Sequence, residues 1–294
     1  FTKLDLREKE KTADYIGKIK PELIFHLAAD ATEGRSQFTP LSCTERNYLA
    51  YLHLLVPAIK NGLKKMVLTS SMSVYGSQKT PFVEIMDRRP DDIYAISKGA
   101  MERATEILSK VHNFKYVIIR PHNVYGPGQN LADPYRNVIA IFINCLLNNK
   151  NFYIYGDGEQ KRAFSYIDDF TPYIIKAAFL EEAEGEIFNI GPVEEITIKK
   201  LAEVVLKSFF KSGEVSEKFK PQYLPPRPME VKEAWCAVGK AKKILGYKTT
   251  ISLEDGVAKM VAWAKKKGAQ QFHYLDDLEI INQDTPSTWV KKLI

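Results

Sequence analysis

The chain has 294 residues, 45% of them hydrophobic and 27% charged, a balance that is ordinary for a soluble globular protein. Its formal net charge of +6 is a mild excess that suits an anionic small molecule. No arginine-rich or aromatic-interleaved stripe supports nucleic-acid binding, and no apolar run approaches the roughly 20 residues of a membrane span. We therefore expect neither nucleic acid nor membrane as a partner.

The cysteines indicate a reducing environment. Cys43, Cys145 and Cys236 are odd in number and far apart, so neither a disulfide framework nor a metal site is predicted. Cys145 lies in an apolar run and is predicted to be a buried thiol. No signal-peptide pattern opens the chain, so we expect a cytoplasmic location.

Strand and helix patterns alternate through the first half of the chain. The predicted elements are strands at 23–29, 66–71 and 116–121 and helices at 42–61 and 94–111. Glu102 is predicted to lie on the polar face of the second helix. Strands separated by helices of this length predict right-handed crossovers and a parallel sheet covered on both faces, which is a Rossmann-type doubly wound α/β fold.

Glycine and proline turns dominate from about residue 126 onward and predict a smaller, irregular α/β lobe over the open edge of the sheet. The predicted elements here are strands at 152–155 and 186–190 and helices at 136–148, 168–181, 197–209 and 252–267. We expect one domain at 1–125 with return segments, a second lobe at 126–268, and a C-terminal extension at 269–294.

Tyr94 and Lys98 are the most informative pair in the sequence. Four residues apart on one predicted helix, they share a face, and the ammonium is expected to lower the phenol pKa from about 10 toward neutrality. Such a tyrosine can act as a general base toward an alcohol. The segments 26–29, 70–73 and 121–123 lie at the carboxyl ends of the predicted strands, where open parallel sheets bind their ligands, so the candidate residues are expected to converge there.

Several motifs in a fixed order carry a family resemblance over nearly all of the chain up to about residue 268. They are Phe25-His-Leu-Ala-Ala29, Thr69-Ser-Ser71 leading to Val74-Tyr-Gly76, the Tyr94-x-x-x-Lys98 pair, Arg120-Pro-His-Asn-Val-Tyr-Gly-Pro127, Gly156-Asp-Gly-Glu-Gln-Lys-Arg162 and Tyr166-Ile-Asp-Asp169. In this order the chain resembles the extended short-chain dehydrogenases/reductases, the NAD-dependent nucleotide-sugar epimerases and dehydratases.

The resemblance implies a role for each matching residue. Tyr94 is the expected base, Lys98 lowers its pKa and binds the nicotinamide ribose, and Ser71 holds the reacting hydroxyl. The expected NAD contacts are Asp5, Leu6, Leu27, Ala28, Ala29, Ser70, Tyr94, Lys98, Pro121 and His122. The expected contacts to a nucleotide sugar are Ser71, Ser73, Asn123, Arg162 and Arg227, with the two arginines clamping the diphosphate. No metal ligand is implied.

Some assignments stay open. Ser70 or Ser73 could supply the hydroxyl instead of Ser71. His122 either faces the nicotinamide or only packs, and His26 is expected to be a packed histidine rather than a catalyst.

The residues beside Ser71 favour one reaction within the family. Dehydratases typically carry an Asp-Glu pair there, whereas this chain has Met72 and Ser73. Without that proton donor, the resemblance implies a UDP-glucose 4-epimerase-like isomerase, acting at C4 of a UDP-hexose through a 4-keto intermediate. A dehydratase, decarboxylase or 4-keto reductase of the same family remains an alternative.

The family begins with a strand and a Gly-x-x-Gly-x-x-Gly turn that cradles the pyrophosphate. This chain opens on what looks like the family's third strand, and none of its 16 glycines forms that fingerprint. We expect the sequence to be a truncated record of a longer enzyme. The alternative is a non-catalytic structural or binding relative that lacks the phosphate loop.

Two further expectations concern assembly. Residues 269–294 are too apolar for a free tail and are expected to dock on the body or on a partner subunit. The resemblance implies a homodimer through the helices at 42–61 and 94–111.

Overall fold

The computed structural model describes residues 1–210 and 215–294. Its strands are β1 (Leu23–His26), β2 (Lys65–Thr69), β3 (Lys115–Pro121), β4 (Asn123–Tyr125), β5 (Tyr153–Tyr155), β6 (Lys161–Arg162), β7 (Phe164–Tyr166), β8 (Glu186–Ile190), β9 (Ile196–Thr197), β10 (Gln222–Leu224) and β11 (Glu233–Ala234). Its helices are α1 (Lys9–Ile19), α2 (Glu33–Ser36), α3 (Pro40–Thr44), α4 (Ala50–Lys60), α5 (Ile93–His112), α6 (Val138–Leu147), α7 (Thr171–Phe179), α8 (Ile198–Phe210), α9 (Gly239–Leu245), α10 (Leu253–Lys267) and α11 (Ser287–Val290). The helices and strands predicted at 23–267 are all present, with their ends moved by a few residues, but residues 1–8, which resemble the family's third strand, form no strand.

A four-stranded parallel sheet in the order β1-β2-β3-β8 forms the centre of the fold. Because the strands run in the same direction, their carboxyl ends meet at one edge, as the sequence predicted. The strand predicted at 186–190 returns to this sheet as β8, beside β3. The predicted division into two lobes stays a prediction.

Helices cover both faces of the sheet. Met66 and Leu68 of β2 pack with α1, α4 and α5, whereas Val67 between them packs with α7 and α9 on the opposite face. This alternation follows from the pleat of a β-strand, and the burial of both faces explains why the strands read as continuous apolar runs. The doubly wound α/β fold is therefore confirmed.

Four of the described helices, α1, α2, α9 and α11, escaped the sequence prediction, and α2 and α11 have only four residues each. Helix α1 buries only Thr12 and Ile16, so its apolar periodicity is too sparse to detect. Helix α9 has only seven residues, which is about two turns. The predicted helix at 42–61 is also not uniform, because a wide π-helical turn at Glu45–Leu49 joins α3 to α4.

The second half builds its own core from α6, α8 and α10 around Phe142 and Phe152, whose rings stack at 4.0 Å. Cys145 is fully buried here, as predicted. Residues 269–294 dock on the body of the chain, through contacts described below. None of the described helices is long and apolar enough to cross a membrane.

Candidate functional site

Two joined cavities lie at the carboxyl edge of the sheet. The main cleft has a volume of about 520 Å³ and the side cavity about 690 Å³, and both are lined by Ala29, Tyr135 and Arg136. Of the residues that the sequence proposed, the main cleft is lined by Leu27, Ala29, Ser70, Ser71, Ser73, Tyr94, Lys98, Pro121, His122, Asn123, Arg162 and Arg227. The side cavity is lined by Asp5, Leu6, Ala28 and Ala29. The structure thus brings all the proposed residues to one continuous space.

Tyr94 and Lys98 lie on the first two turns of α5, and both are buried. The Lys98 Nζ atom is 5.8 Å from the centre of the Tyr94 ring and donates a hydrogen bond to the Thr69 carbonyl at 2.7 Å. Burial raises the pKa of Tyr94 and lowers the pKa of Lys98 to about 8. The expected lowering of the tyrosine pKa is therefore wrong for this structure, because desolvation disfavours both charged forms.

Ser71 lies at the end of β2 next to the tyrosine. Its Oγ accepts hydrogen bonds from the Ser73 N–H at 3.1 Å and the Ser73 hydroxyl at 2.9 Å. The Ser71 hydroxyl also lies near enough to the Tyr94 phenol to oppose part of the rise in the tyrosine pKa. This proximity favours Ser71 over the other two serines as the partner of Tyr94, although its role in the reaction stays a prediction.

A buried ion pair holds α5 against the sheet. The Glu102 carboxylate receives two hydrogen bonds from the Arg120 guanidinium of β3, at 2.9 and 2.7 Å, and one from Arg88 Nε at 2.5 Å. Glu102 is completely buried, so its predicted place on a polar helix face is wrong. From the sequence of the helix alone, a carboxylate is expected to be exposed to solvent. Here two arginines from other parts of the chain pair with it, so it is buried.

The proposed substrate contacts line the second-half wall of the cleft. Asn123 donates from Nδ2 to the Ala163 carbonyl at 3.0 Å. Arg162 donates to the Val231 carbonyl at 2.6 Å, and Arg227 pairs with Glu230 at 2.7 Å while its guanidinium lies over the Tyr155 ring. These contacts fix the two guanidinium groups beside the cleft, and their roles stay predictions.

The two histidines at the strand ends are neutral. Burial lowers the pKa of His26 to about 3 and that of His122 to about 4. His26 packs against Tyr51, with ring centres 4.9 Å apart, as expected of a packed histidine. His122 lines the main cleft and packs so closely on Gly191 that a Cβ there would lie 2.3 Å from its Nδ1.

Glu33 is a candidate that the sequence analysis missed. It follows β1 on the short helix α2 and lines the main cleft. Burial raises its pKa, opposed by the positive charges of Arg136, Arg162 and Arg227. Its negative charge also acts on Tyr94 and Lys98. Its position after β1 was the signal available in the sequence, but Glu33 lies in none of the motifs that carry the family resemblance.

Asp92 at the N-cap of α5 makes stability depend on pH. Its Oδ1 accepts hydrogen bonds from the Ala95 N–H at 2.8 Å and the Ser36 hydroxyl at 3.4 Å. Burial, followed by the charge of Glu33, raises its pKa from 3.8 to about 7. The folded state therefore binds this proton more tightly than the unfolded state, so stability is lost as the pH rises from about 4 to about 7.

We expect Asp92→Asn, which retains the capping oxygen, to remove this loss. The stability of the variant relative to the wild type should increase across that pH interval, by up to about 4 kcal/mol, since one pKa unit corresponds to about 1.4 kcal/mol. Urea unfolding at several pH values measures the difference. Asp91→Asn is the matched control, and equal pH profiles for wild type and Asp92→Asn would contradict the prediction.

The joined cavities fit the dinucleotide that the resemblance implies. The side cavity and the main cleft share Ala29 and Ala31 in their lining, whose small side chains take little of the space. The buried Thr69 Oγ1 and the His122 ring nitrogens have no hydrogen-bond partner among the described residues, so polar groups face this space unsatisfied. No cluster of three or more His, Cys, Asp or Glu side chains suited to a metal occurs within 1–210 and 215–294.

Comparisons with known proteins agree with this geometry. Residues 1–191 match the NAD dependent epimerase/dehydratase family. The UDP-glucose 4-epimerase of Mycolicibacterium smegmatis is 31% identical over 271 residues, which is 91% of this chain and 83% of the relative.

Solved structures agree as well. The UDP-glucose 4-epimerase of Thermotoga maritima with UDP-glucose has a TM-score of 0.83 at 30% identity, covering 91% of this chain and 84% of that one. The UDP-glucuronic acid 4-epimerase of Bacillus cereus, in complex with UDP-glucuronic acid and NAD, has a TM-score of 0.78 at 26% identity, covering 90% and 81%. The chain belongs to the NAD-dependent epimerase/dehydratase family and is an NAD-dependent enzyme of the epimerase type.

Proposed function

We propose that the chain epimerises a nucleotide sugar at C4 of a UDP-hexose, through a transient 4-keto sugar. The observation that carries the proposal is the meeting of Ser71, Tyr94 and Lys98 in one cleft, with Met72 and Ser73 in place of a carboxylate beside Ser71. The similarity to UDP-glucose and UDP-glucuronic acid 4-epimerases supports the same reaction.

The residues of the chain divide the work as follows. Tyr94 takes the proton of the C4 hydroxyl, and Ser71 holds that oxygen by a hydrogen bond. The charge of Lys98 stabilises the ionised phenol as the proton moves. The residues that line both cavities would hold NAD, which when bound would accept a hydride from C4 and return it. Arg162 and Arg227 hold the diphosphate, so that the sugar can turn and present its other face.

A dehydratase is the second candidate, and Glu33 favours it. Desolvation by the walls of the cleft raises the Glu33 pKa, although the side chain is open to the solvent that fills the cleft. Such a group can protonate a leaving hydroxyl. Glu33 belongs to the segment after β1, however, and not to the position beside Ser71 where dehydratases carry their acid. Epimerisation therefore remains the first candidate.

The test is to incubate the full-length protein, with NAD supplied, with UDP-glucose, UDP-N-acetylglucosamine, UDP-glucuronic acid and their 4-epimers. We expect at least one pair to interconvert without change of mass, which separation of the products by chromatography and mass spectrometry detects. Loss of one water would identify a dehydratase. Binding of the sugars without conversion of any would identify a non-catalytic binding relative.

We further propose a homodimer through α4 and α5. Both helices carry large apolar side chains at the surface, namely Val56 at 44% exposure on α4 and Ile96 at 49%, Ile107 at 46% and Val111 at 68% on α5. On α5 these recur every four or eleven residues and so lie on one face. Light scattering should give twice the mass of the chain for the wild type and the mass of one chain for Ile107→Glu. A wild-type monomer would contradict the proposal.

We also propose a cytoplasmic location, supported by the three buried, unpaired thiols, because reducing compartments preserve free cysteine. Localisation of a tagged full-length protein tests it, and recovery from a secreted fraction would contradict it.

A further inference from the structure

Residues 269–294, called here the C-terminal strap, are held to the loop after β1 by charge. The carboxylate of Asp277 pairs with Arg35 and Arg46, each at 2.8 Å. Arg35 is 1% exposed, so this contact is a buried one. Glu279 accepts hydrogen bonds from the first backbone N–H groups of α3, those of Leu41 at 2.8 Å and Ser42 at 2.7 Å. These bonds fix the course of the strap.

The strap is also fastened to the second half of the chain. Gln270 exchanges two hydrogen bonds with the Asn144 side chain of α6, at 2.9 and 3.0 Å. The His273 N–H donates to the Ala132 carbonyl at 2.8 Å. The strap therefore spans from α6 to the loop after β1 and then turns back to the main cleft.

At its end, the strap inserts Trp289 into the wall of the main cleft. The side chain is 4% exposed and packs edge-on against Phe38 and Tyr135, with ring centres 6.0 and 5.6 Å away. Its Cη2 lies 3.6 Å from the place that a Cβ on Gly34 would take, and Arg227 Nη1 lies 3.5 Å from the same place. The indole thus stands next to both the α2 loop and the guanidinium of Arg227.

The neighbouring Thr288 acts on the same arginine. Its Oγ1 is hydrogen-bonded to the hydroxyl of Tyr155, and the Arg227 guanidinium lies 4.9 Å over the Tyr155 ring. Thr288 and Trp289 both line the main cleft. Thr288 of the strap thus contacts Tyr155, and Tyr155 contacts Arg227. Through these contacts the strap helps to fix the position of the Arg227 guanidinium.

Trp289 lines the main cleft together with Tyr94 and Arg227, so the indole borders the space that would hold the substrate. Glu33 and Gly34, on the loop next to the indole, line the same cleft as Tyr94. In the proposed function, Arg227 beside the indole would hold the diphosphate. We propose that Trp289 is a specificity-determining residue, whose indole packs on the hexose and limits its size, and that the strap belongs to the substrate site. This inference rests on the proposed function.

The test compares wild type, Trp289→Ala and Trp289→Phe by titration calorimetry with UDP, UDP-glucose and UDP-N-acetylglucosamine, with NAD supplied. For Trp289→Ala we expect the Kd of UDP-glucose to rise about tenfold relative to that of UDP-N-acetylglucosamine, because the lost contact area makes room for the larger sugar. The Kd of UDP, which has no hexose, should change less than about twofold. Trp289→Phe retains an aromatic ring and should give a smaller change in the same direction.

Val290→Ala is the matched control, because Val290 is the next residue of α11 and is 47% exposed. It should leave all three Kd values unchanged. Two outcomes would overturn the inference. One is that Trp289→Ala raises the Kd of UDP and of both sugars equally. The other is that the Kd values are unchanged in Trp289→Phe and Trp289→Ala proteins that unfold like the wild type. The Trp289 variants could show the predicted change in selectivity while the wild type converts none of the sugars. In that case the proposed function fails and the inference stands.

Discussion

Tyr94→Phe should lower kcat by about a thousandfold, because a positioned general base contributes roughly 10²- to 10⁴-fold to a rate. The substitution removes only the phenol oxygen. The ring stays buried beside Lys98, so the packing of α5 is preserved. Steady-state assay on the sugar pair that the wild type interconverts measures the loss, and NAD content and thermal unfolding show whether the fold is intact.

Tyr247→Phe is the matched control for this variant. Tyr247 is also buried, at 2% exposure against 4% for Tyr94, and its hydroxyl is 3.3 Å from the Thr249 hydroxyl. It packs with α7 and α9 on the far face of the sheet. We expect normal kcat from this protein. A folded Tyr94→Phe protein with wild-type kcat would show that another group takes the proton.

Glu102→Gln should lower the free energy of unfolding by about 3 to 5 kcal/mol, the usual result of breaking a buried ion pair. The glutamine leaves the Arg120 guanidinium, 1% exposed, without a countercharge and removes an acceptor from Arg88. Urea unfolding measures the change. Because α5 also carries Tyr94 and Lys98, we expect kcat to fall before the protein unfolds globally.

Arg103→Gln provides the surface comparison. Arg103 is 63% exposed and pairs with Glu106 at 3.0 Å on the same helix, so its loss should cost less than about 1 kcal/mol. A second comparison is the double variant Glu102→Leu with Arg120→Met. It removes both charges of the Glu102–Arg120 pair, so the double variant should be more stable than Glu102→Gln. A stability loss for Glu102→Gln as small as that for Arg103→Gln would contradict the account of a buried pair.

The residues of the site were largely predictable because the family resemblance is carried by short, ordered motifs. Tyr94 and Lys98 were placed on one helix face by their spacing alone. Glu33 and Trp289 were not predictable. Glu33 reaches the cleft through the geometry of the loop after β1, and Trp289 is distant in sequence from every motif, so only the folded chain brings it beside Gly34.

The sequence by itself determined the parallel α/β sheet, the order of its main helices and strands, and the placement of Tyr94 and Lys98 on one face of a helix. These properties depend on local periodicity and on short motifs, both of which can be detected in the sequence alone. Only the tertiary structure decided the direction of the pKa shifts in the site and which residues line the cleft. The pKa of Tyr94 rises because burial outweighs the opposing effect of the Ser71 side chain. Glu102 is buried because two arginines converge on it, and the C-terminal strap returns to the cleft because Asp277 meets Arg35. Each of these effects depends on distances between residues far apart in the chain, which sequence spacing does not specify.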